Sequence, residues 1–249
     1  MRQFVLAANW KMNKTPVETA AFFQTFLSGF SPSPGRQTVF FVPALDITTA
    51  IGATNGRGVG IGTQNIHFEK KGAFTGENSA EAAKAAGCEW TLVGHSERRS
   101  LFGETDLITA KKMKLALECG LKPMLCVGES LDERTAGETM KVVERQLTVG
   151  LEAMTAADWA SVTIAYEPVW AIGTGKVATP EQASEVHTAI RAWLERRAGA
   201  EVAAAMPILY GGSAKPENFR EIASQKNIDG FLVGGASLEA DSFLKFCAW

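Results

Sequence analysis

The chain has 249 residues, of which 46% are apolar and 21% charged, proportions that exclude a disordered or collagen-like protein. Twenty-five basic residues against 27 acidic ones leave a net charge of −2, so no basic field exists to grip nucleic acid or an anionic membrane surface. An anionic ligand must be held by local chemistry.

Short apolar, branched or aromatic runs recur from end to end: Phe4–Trp10, Thr38–Val42, Val59–Thr63, Trp90–Val93, Lys122–Val127, Val162–Tyr166, Pro207–Tyr210 and Gly230–Val233. None alternates polar with apolar, so each reads as a strand buried on both faces. The first run is too short for a signal-peptide core, and no stretch approaches the ~20 apolar residues of a membrane span.

Helix-like segments lie between the runs. Thr15-Pro16-Val17-Glu18 is a capping box with proline at the first helical position, followed by Phe23, Phe26, Leu27 and Phe30 on one face. Met140, Val143, Leu147, Leu151 and Met154 form a second apolar stripe. Thr179-Pro180-Glu181-Gln182 repeats the capping device before Ala183, Val186, Ile190, Trp193 and Leu194. These stripes read as core packing. Four cysteines, Cys88, Cys119, Cys126 and Cys247, show no CxxC pairing and read as reduced thiols of a cytoplasmic protein.

Eight strands alternating with eight helical stretches predict a parallel α/β fold, and the unit length suits a (β/α)8 barrel. A doubly wound sheet is the competing architecture. No G-x-G-x-x-G follows the first strand, and no composition break divides the chain, so a single domain over 1–249 is expected.

The residues just past the strand ends are polar or glycine: Asn9-Trp10-Lys11, Gln64-Asn65, Gly94-His95-Ser96-Glu97, Gly128-Glu129, Glu167-Pro168, Gly211-Gly212-Ser213 and Gly234-Gly235. In a barrel they share one rim, the rim on which active sites are built. Glu167, at a buried strand end beside Val169 and Trp170, is expected to be desolvated and more basic than an exposed carboxylate. The segment after it, Pro168 to Lys176, is apolar at its centre where a loop should be polar, as suits a lid. His95 opens a segment that looks like a helix start, whose amides would disfavour the imidazolium. His67 and His187 have no such setting and read as structural. Lys11 supplies a fixed positive charge, and the glycine pairs ending the last two strands match a phosphate cradle. Each residue taken alone also fits a structural ion pair, a core imidazole, a surface lysine or a tight turn. There is no H-E-x-x-H, Walker pattern, calcium loop or G-x-S-x-G.

Together the segments Ala8-Asn9-Trp10-Lys11-Met12-Asn13, Gly72-Ala73-Phe74-Thr75-Gly76-Glu77, Gly94-His95-Ser96-Glu97-Arg98-Arg99, Tyr166-Glu167-Pro168-Val169-Trp170, Tyr210-Gly211-Gly212-Ser213 and Val233-Gly234-Gly235-Ala236-Ser237 resemble the triosephosphate isomerase family, in its order and over nearly the whole chain. The resemblance implies that Glu167 moves a proton between neighbouring carbons of dihydroxyacetone phosphate and that a neutral His95 hydrogen-bonds the substrate oxygens. Lys11 and Asn9 would contribute charge and polar contacts, with Glu97 bracing the lysine. The amides of Gly173, Gly234 and Gly235, with Ser213, would hold the phosphate under a lid from Pro168 to about Ala178. It implies no cofactor and no metal. It also implies a homodimer in which Phe74 and Thr75 enter the partner's site. Thr63, Val177 and Ala214 depart from the family's usual residues without replacing any of these groups. Two other readings stand beside it. A Schiff-base aldolase would need a lysine nucleophile, for which only Lys11 offers itself, and a non-catalytic phosphometabolite binder would not need His95 and Glu167 together.

Overall fold

A computed structural model describes residues 2–173 and 177–248 of the chain. Eight parallel strands form a closed barrel in sequence order: β1 (Phe4–Asn9), β2 (Arg36–Val42), β3 (Val59–Thr63), β4 (Trp90–Val93), β5 (Lys122–Val127), β6 (Thr163–Tyr166), β7 (Ile208–Tyr210) and β8 (Gly230–Val233). Closure comes from β8 pairing with β1, Val5 opposite Gly230 and Ala8 opposite Val233. The helices are α1 (Pro16–Gly29), α2 (Ile47–Thr54), α3 (Ala80–Ala86), α4 (Ser96–Phe102), α5 (Asp106–Glu118), α6 (Leu131–Thr135), α7 (Thr139–Gly150), α8 (Pro180–Ala198), α9 (Ala200–Ala205), α10 (Phe219–Ala223) and α11 (Ala240–Cys247). Where eight helical stretches are expected, three of the units carry two α-helices each.

The helix starts follow their caps. The side chains of Thr15 and Thr179 accept from the backbone of Glu18 and Gln182, whose own side chains reach back to the cap N–H groups. The second apolar stripe overruns its helix: α7 ends at Gly150, and Leu151 and Met154 are buried beyond it.

Strand side chains alternate between two dry compartments. Val5, Ala7, Val39, Phe41, Leu92, Met124, Cys126, Ala165, Leu209 and Leu232 fill the barrel interior, while Leu6, Ala8, Phe40, Val42, Val93, Leu125 and Ile164 pack outward against the helices. This is why the strands read as uninterrupted apolar runs: period two is present but carries no contrast in polarity. Gly62 makes the interior fit, since a Cβ there would lie 2.6 Å from the Phe41 ring and 2.8 Å from Trp90 Cβ. The alternation also aims the site. Asn9 follows Val5 and Ala7, and Glu167 follows Ala165, so both continue the inward face where the packed core ends.

All four cysteines are free, Cys88 and Cys126 buried and the other two half-buried. No helix among the described residues is long and apolar enough to cross a membrane. His187 is fully buried in α8, with Nδ1 3.0 Å from the Asn227 carbonyl, and burial pulls its pKa down to about 4. The unfolded chain therefore binds a proton near pH 6.5 that the folded chain refuses. Stability is intact above that pH and falls as pH drops toward 4, by about 3 kcal/mol for this ring. Urea melts at pH 7 and pH 4.5 should show this loss, and His187→Gln should show a smaller one. Equal acid sensitivity in the variant would remove His187 as the cause.

Candidate active site

Strand ends converge on a cavity of about 660 Å³ at the C-terminal mouth of the barrel, whose walls include Asn9, Lys11, His95, Glu167, Gly173, Ser213, Gly234 and Gly235. Every expected catalytic and substrate-binding residue except Glu97 lies on that wall. Glu97 lines an adjoining cavity of about 400 Å³ that shares Asn9, Lys11 and His95 with the first. Thr174–Lys176, in the middle of the expected lid, lie outside the described residues.

His95 stands at the N-cap of α4. Its Nδ1 accepts from the Glu97 backbone N–H at 3.2 Å, and its Nε2 lies 2.9 Å from Glu167 Oε1. With Nδ1 occupied as an acceptor, the neutral ring carries its proton on Nε2, aimed at the carboxylate and the cavity. The turn beneath it is fixed from behind by Glu104, which accepts from Gly94 N–H at 2.8 Å, from Arg98 Nε at 2.8 Å and from Lys112 Nζ at 2.5 Å. Lys112 also donates to Asn65 Oδ1 at 2.7 Å. Glu104 and Lys112 are both buried, and the network accounts for each charge.

Glu167 is 2% exposed, its second oxygen accepting from the Ser96 N–H at 2.8 Å. Burial raises its pKa, as expected from the sequence. The imidazole and the Ser96 N–H outweigh burial, however, and hold it below the ordinary carboxylate value. The same attraction corrects the expectation for His95: burial pulls the ring down, but the carboxylate against Nε2 raises it above its usual value. Both shifts belong to the resting pair.

Lys11 touches Glu97 through Nζ. Its backbone adopts a left-handed φ of +53°, uncommon for a side-chain-bearing residue. Two groups hold it there: Asn9 Oδ1 accepts from its N–H at 3.0 Å, and Gln64 Nε2 donates to its carbonyl at 2.8 Å. Trp10 ties this turn to the glycine cradle by donating to the Ser237 carbonyl at 3.2 Å. Beside Glu167, the buried Glu129 accepts from Trp170 Nε1 at 2.8 Å, Arg134 at 3.1 Å and the Tyr166 hydroxyl at 3.1 Å. It fastens the first residues of the expected lid to the end of β5. Glu104, Lys112 and the bracing roles of Gln64 and Glu129 have no signature in the sequence: Glu104 lies between Gly103 and Thr105 and Lys112 follows Lys111, so nothing local marks either charge as buried.

Phe74 and Thr75 lie outside both cavities. Phe74 packs against His67 with the rings tilted by 31° and their centroids 4.1 Å apart, and Thr75 is exposed. Among the described residues, no three His, Cys, Asp or Glu side chains gather as they would around a metal ion.

The arrangement offers a buried carboxylate facing an imidazole N–H, a lysine beside them and a glycine-rich wall opposite. It can move a proton on a carbon next to a carbonyl while holding an anionic tail. Comparison with known proteins points the same way. The family model for triosephosphate isomerase matches residues 4–249. The chain is 46% identical to the triosephosphate isomerase of Solibacter usitatus over 243 residues, 98% of each chain. It is 47% identical to that of Carboxydothermus hydrogenoformans, covering 98% of this chain and 97% of the relative. With that of Bdellovibrio bacteriovorus the identity is 48%, over 96% of each.

Proposed function

Because this chain belongs to the triosephosphate isomerase family, and so interconverts dihydroxyacetone phosphate and D-glyceraldehyde 3-phosphate, we propose that Glu167 is its base and a neutral His95 its hydrogen-bond donor. The reaction is a step of glycolysis and gluconeogenesis. The observation that carries the assignment is the 2.9 Å contact between Glu167 and His95 Nε2 on the wall of the cavity. Substrate takes the place of that contact. Glu167 removes a proton from the carbon beside the carbonyl, and Nε2–H donates to the oxygen that becomes an enediolate. Lys11 adds fixed charge at that oxygen, with Asn9 a further polar contact, and Glu97 holds the lysine in place. Glu167 then returns the proton to the neighbouring carbon. The amides of Gly173, Gly234 and Gly235, with Ser213, take the phosphate. Closure of the segment from Pro168 to about Ala178 excludes water and keeps the enediolate from losing phosphate.

The test is interconversion of the two triose phosphates by the purified chain beside Glu167→Gln at equal concentration. Turnover that survives in the variant would place the base elsewhere.

The same reading makes the chain one barrel domain, supported by the β8–β1 closure, and a cytoplasmic homodimer. What supports a dimer is the rim of the second cavity. Met12, 96% exposed, and Phe102, 68% exposed, line an opening that reaches Lys11, His95 and Glu97. The partner's Gly72–Glu77 loop, with Phe74 and Thr75, is the proposed occupant. Thr75→Arg should then yield monomers by sedimentation and lower turnover, whereas a dimeric, fully active variant would exclude this interface.

A further inference from the structure

Gln146 carries a buried amide that the mechanism above does not use. It lies on the inner face of α7, 5% exposed, one turn before Gly150. Gly150 lets the helix come close to the barrel, since a Cβ there would stand 3.1 Å from the Leu125 side chain of β5. A turn earlier, Gln146 meets Gly128, the first residue beyond β5. There the strand pairing runs out: β5 pairs with β6 as far as Val127 opposite Tyr166. Gly128 N–H donates to Gln146 Oε1 at 2.7 Å, and its carbonyl accepts from Nε2 at 3.1 Å. A planar amide sets a donor and an acceptor side by side without charge, so it serves Gly128 as a further strand would.

What Gly128 touches gives the clamp its consequence. On one side is the Glu167 main chain, so close that a Cβ on Gly128 would fall 1.7 Å from the carbonyl oxygen. On the other is a cavity of about 410 Å³ whose walls include Gly128, Gln146 and Glu167, so the strand end borders open space and not packed core. We propose that Gln146 is a positioning residue for the reaction, acting through Gly128 to set where the Glu167 carboxylate meets the substrate carbon. The proposal rests on Glu167 being the base. Held by the amide, Gly128 fixes the Glu167 carbonyl and with it the root of the side chain. Released, the strand end can shift toward the cavity and carry the carboxylate out of line.

Gln146→Met keeps the length of the side chain and removes both bonds. In assays of D-glyceraldehyde 3-phosphate conversion, with the fold checked by circular dichroism, kcat should fall about ten- to a hundredfold. Inhibition by inorganic phosphate should stay as in the wild type. Placed on Glu167→Gln, the same substitution should cost no further turnover, because the group it misplaces is already gone. Gln146→Glu is the second variant. Its carboxylic acid offers Gly128 an acceptor and a donor as the amide does, whereas its carboxylate turns an oxygen against the Gly128 carbonyl. Its kcat relative to the wild type should therefore recover as pH falls, and it decides alone if Gln146→Met does not fold. Wild-type kcat in Gln146→Met, an equal loss in both backgrounds, or a Gln146→Glu ratio that is flat with pH would overturn the proposal. A fully active Glu167→Gln would overturn the base itself, a result separable from these.

Discussion

Glu167→Gln should lower kcat by about three to four orders of magnitude, the upper part of what a positioned general base contributes. The change is isosteric, and the amide oxygen can still accept from Ser96 N–H, so the strand end should stay in place. What is lost is the ability to take a proton. The proposed phosphate cradle at Gly234 and Gly235 follows strand β8, away from the substitution, so inhibition by inorganic phosphate should be nearly unchanged. A loss of kcat with phosphate affinity intact marks a base. A parallel loss of both would mark Glu167 as structural support for the pocket.

Gly128→Ala is the second large effect, and its origin is backbone geometry. A Cβ at Gly128 would lie 1.7 Å from the carbonyl oxygen of Glu167 and 2.6 Å from its carbonyl carbon. No side-chain rotation relieves contact with a main chain. Nor can Glu167 retreat freely: its N–H donates to the Val127 carbonyl at 2.7 Å, and Gly211 N–H donates to the Tyr166 carbonyl at 2.7 Å. Gly128 is equally fixed, its N–H and carbonyl both bonded to the Gln146 amide at 2.7 and 3.1 Å. The ends of β5 and β6 must separate. We expect destabilisation of roughly 1–3 kcal/mol, as for overpacking elsewhere, together with a loss of about a hundredfold in kcat from a base displaced by about 1 Å. Urea melts and turnover read the two effects, and a variant that matches the wild type in both would contradict the geometry.

The architecture was legible because each strand is dry on both faces. Val59–Thr63, Trp90–Val93, Lys122–Val127 and Gly230–Val233 coincide with their apolar runs. Where a run overshoots, tertiary packing is the reason: Trp10 reads as strand, yet β1 ends at Asn9 and the indole is buried against Phe22, Phe23 and Phe40. The site was legible as polar residues past successive strand ends. What the chain did not reveal was contact between those ends. His95 follows β4 and Glu167 follows β6, and only their meeting across the barrel mouth turns a carboxylate expected to be more basic into one held down at rest. Glu104 and Lys112 were invisible for the same reason, because a buried pair is recognised by its partner and not by its neighbours in sequence.

We propose that the base works opposite a neutral imidazole. It is tested most directly by 15N NMR of the His95 ring in the complex with a planar, phosphate-bearing analogue of the enediolate, across pH 5 to 9. Nε2 bearing the proton and Nδ1 remaining an unprotonated acceptor throughout is the predicted result. A ring protonated on both nitrogens in that complex would contradict it, making His95 an ion-pair partner of Glu167 and not the donor to the substrate oxygen.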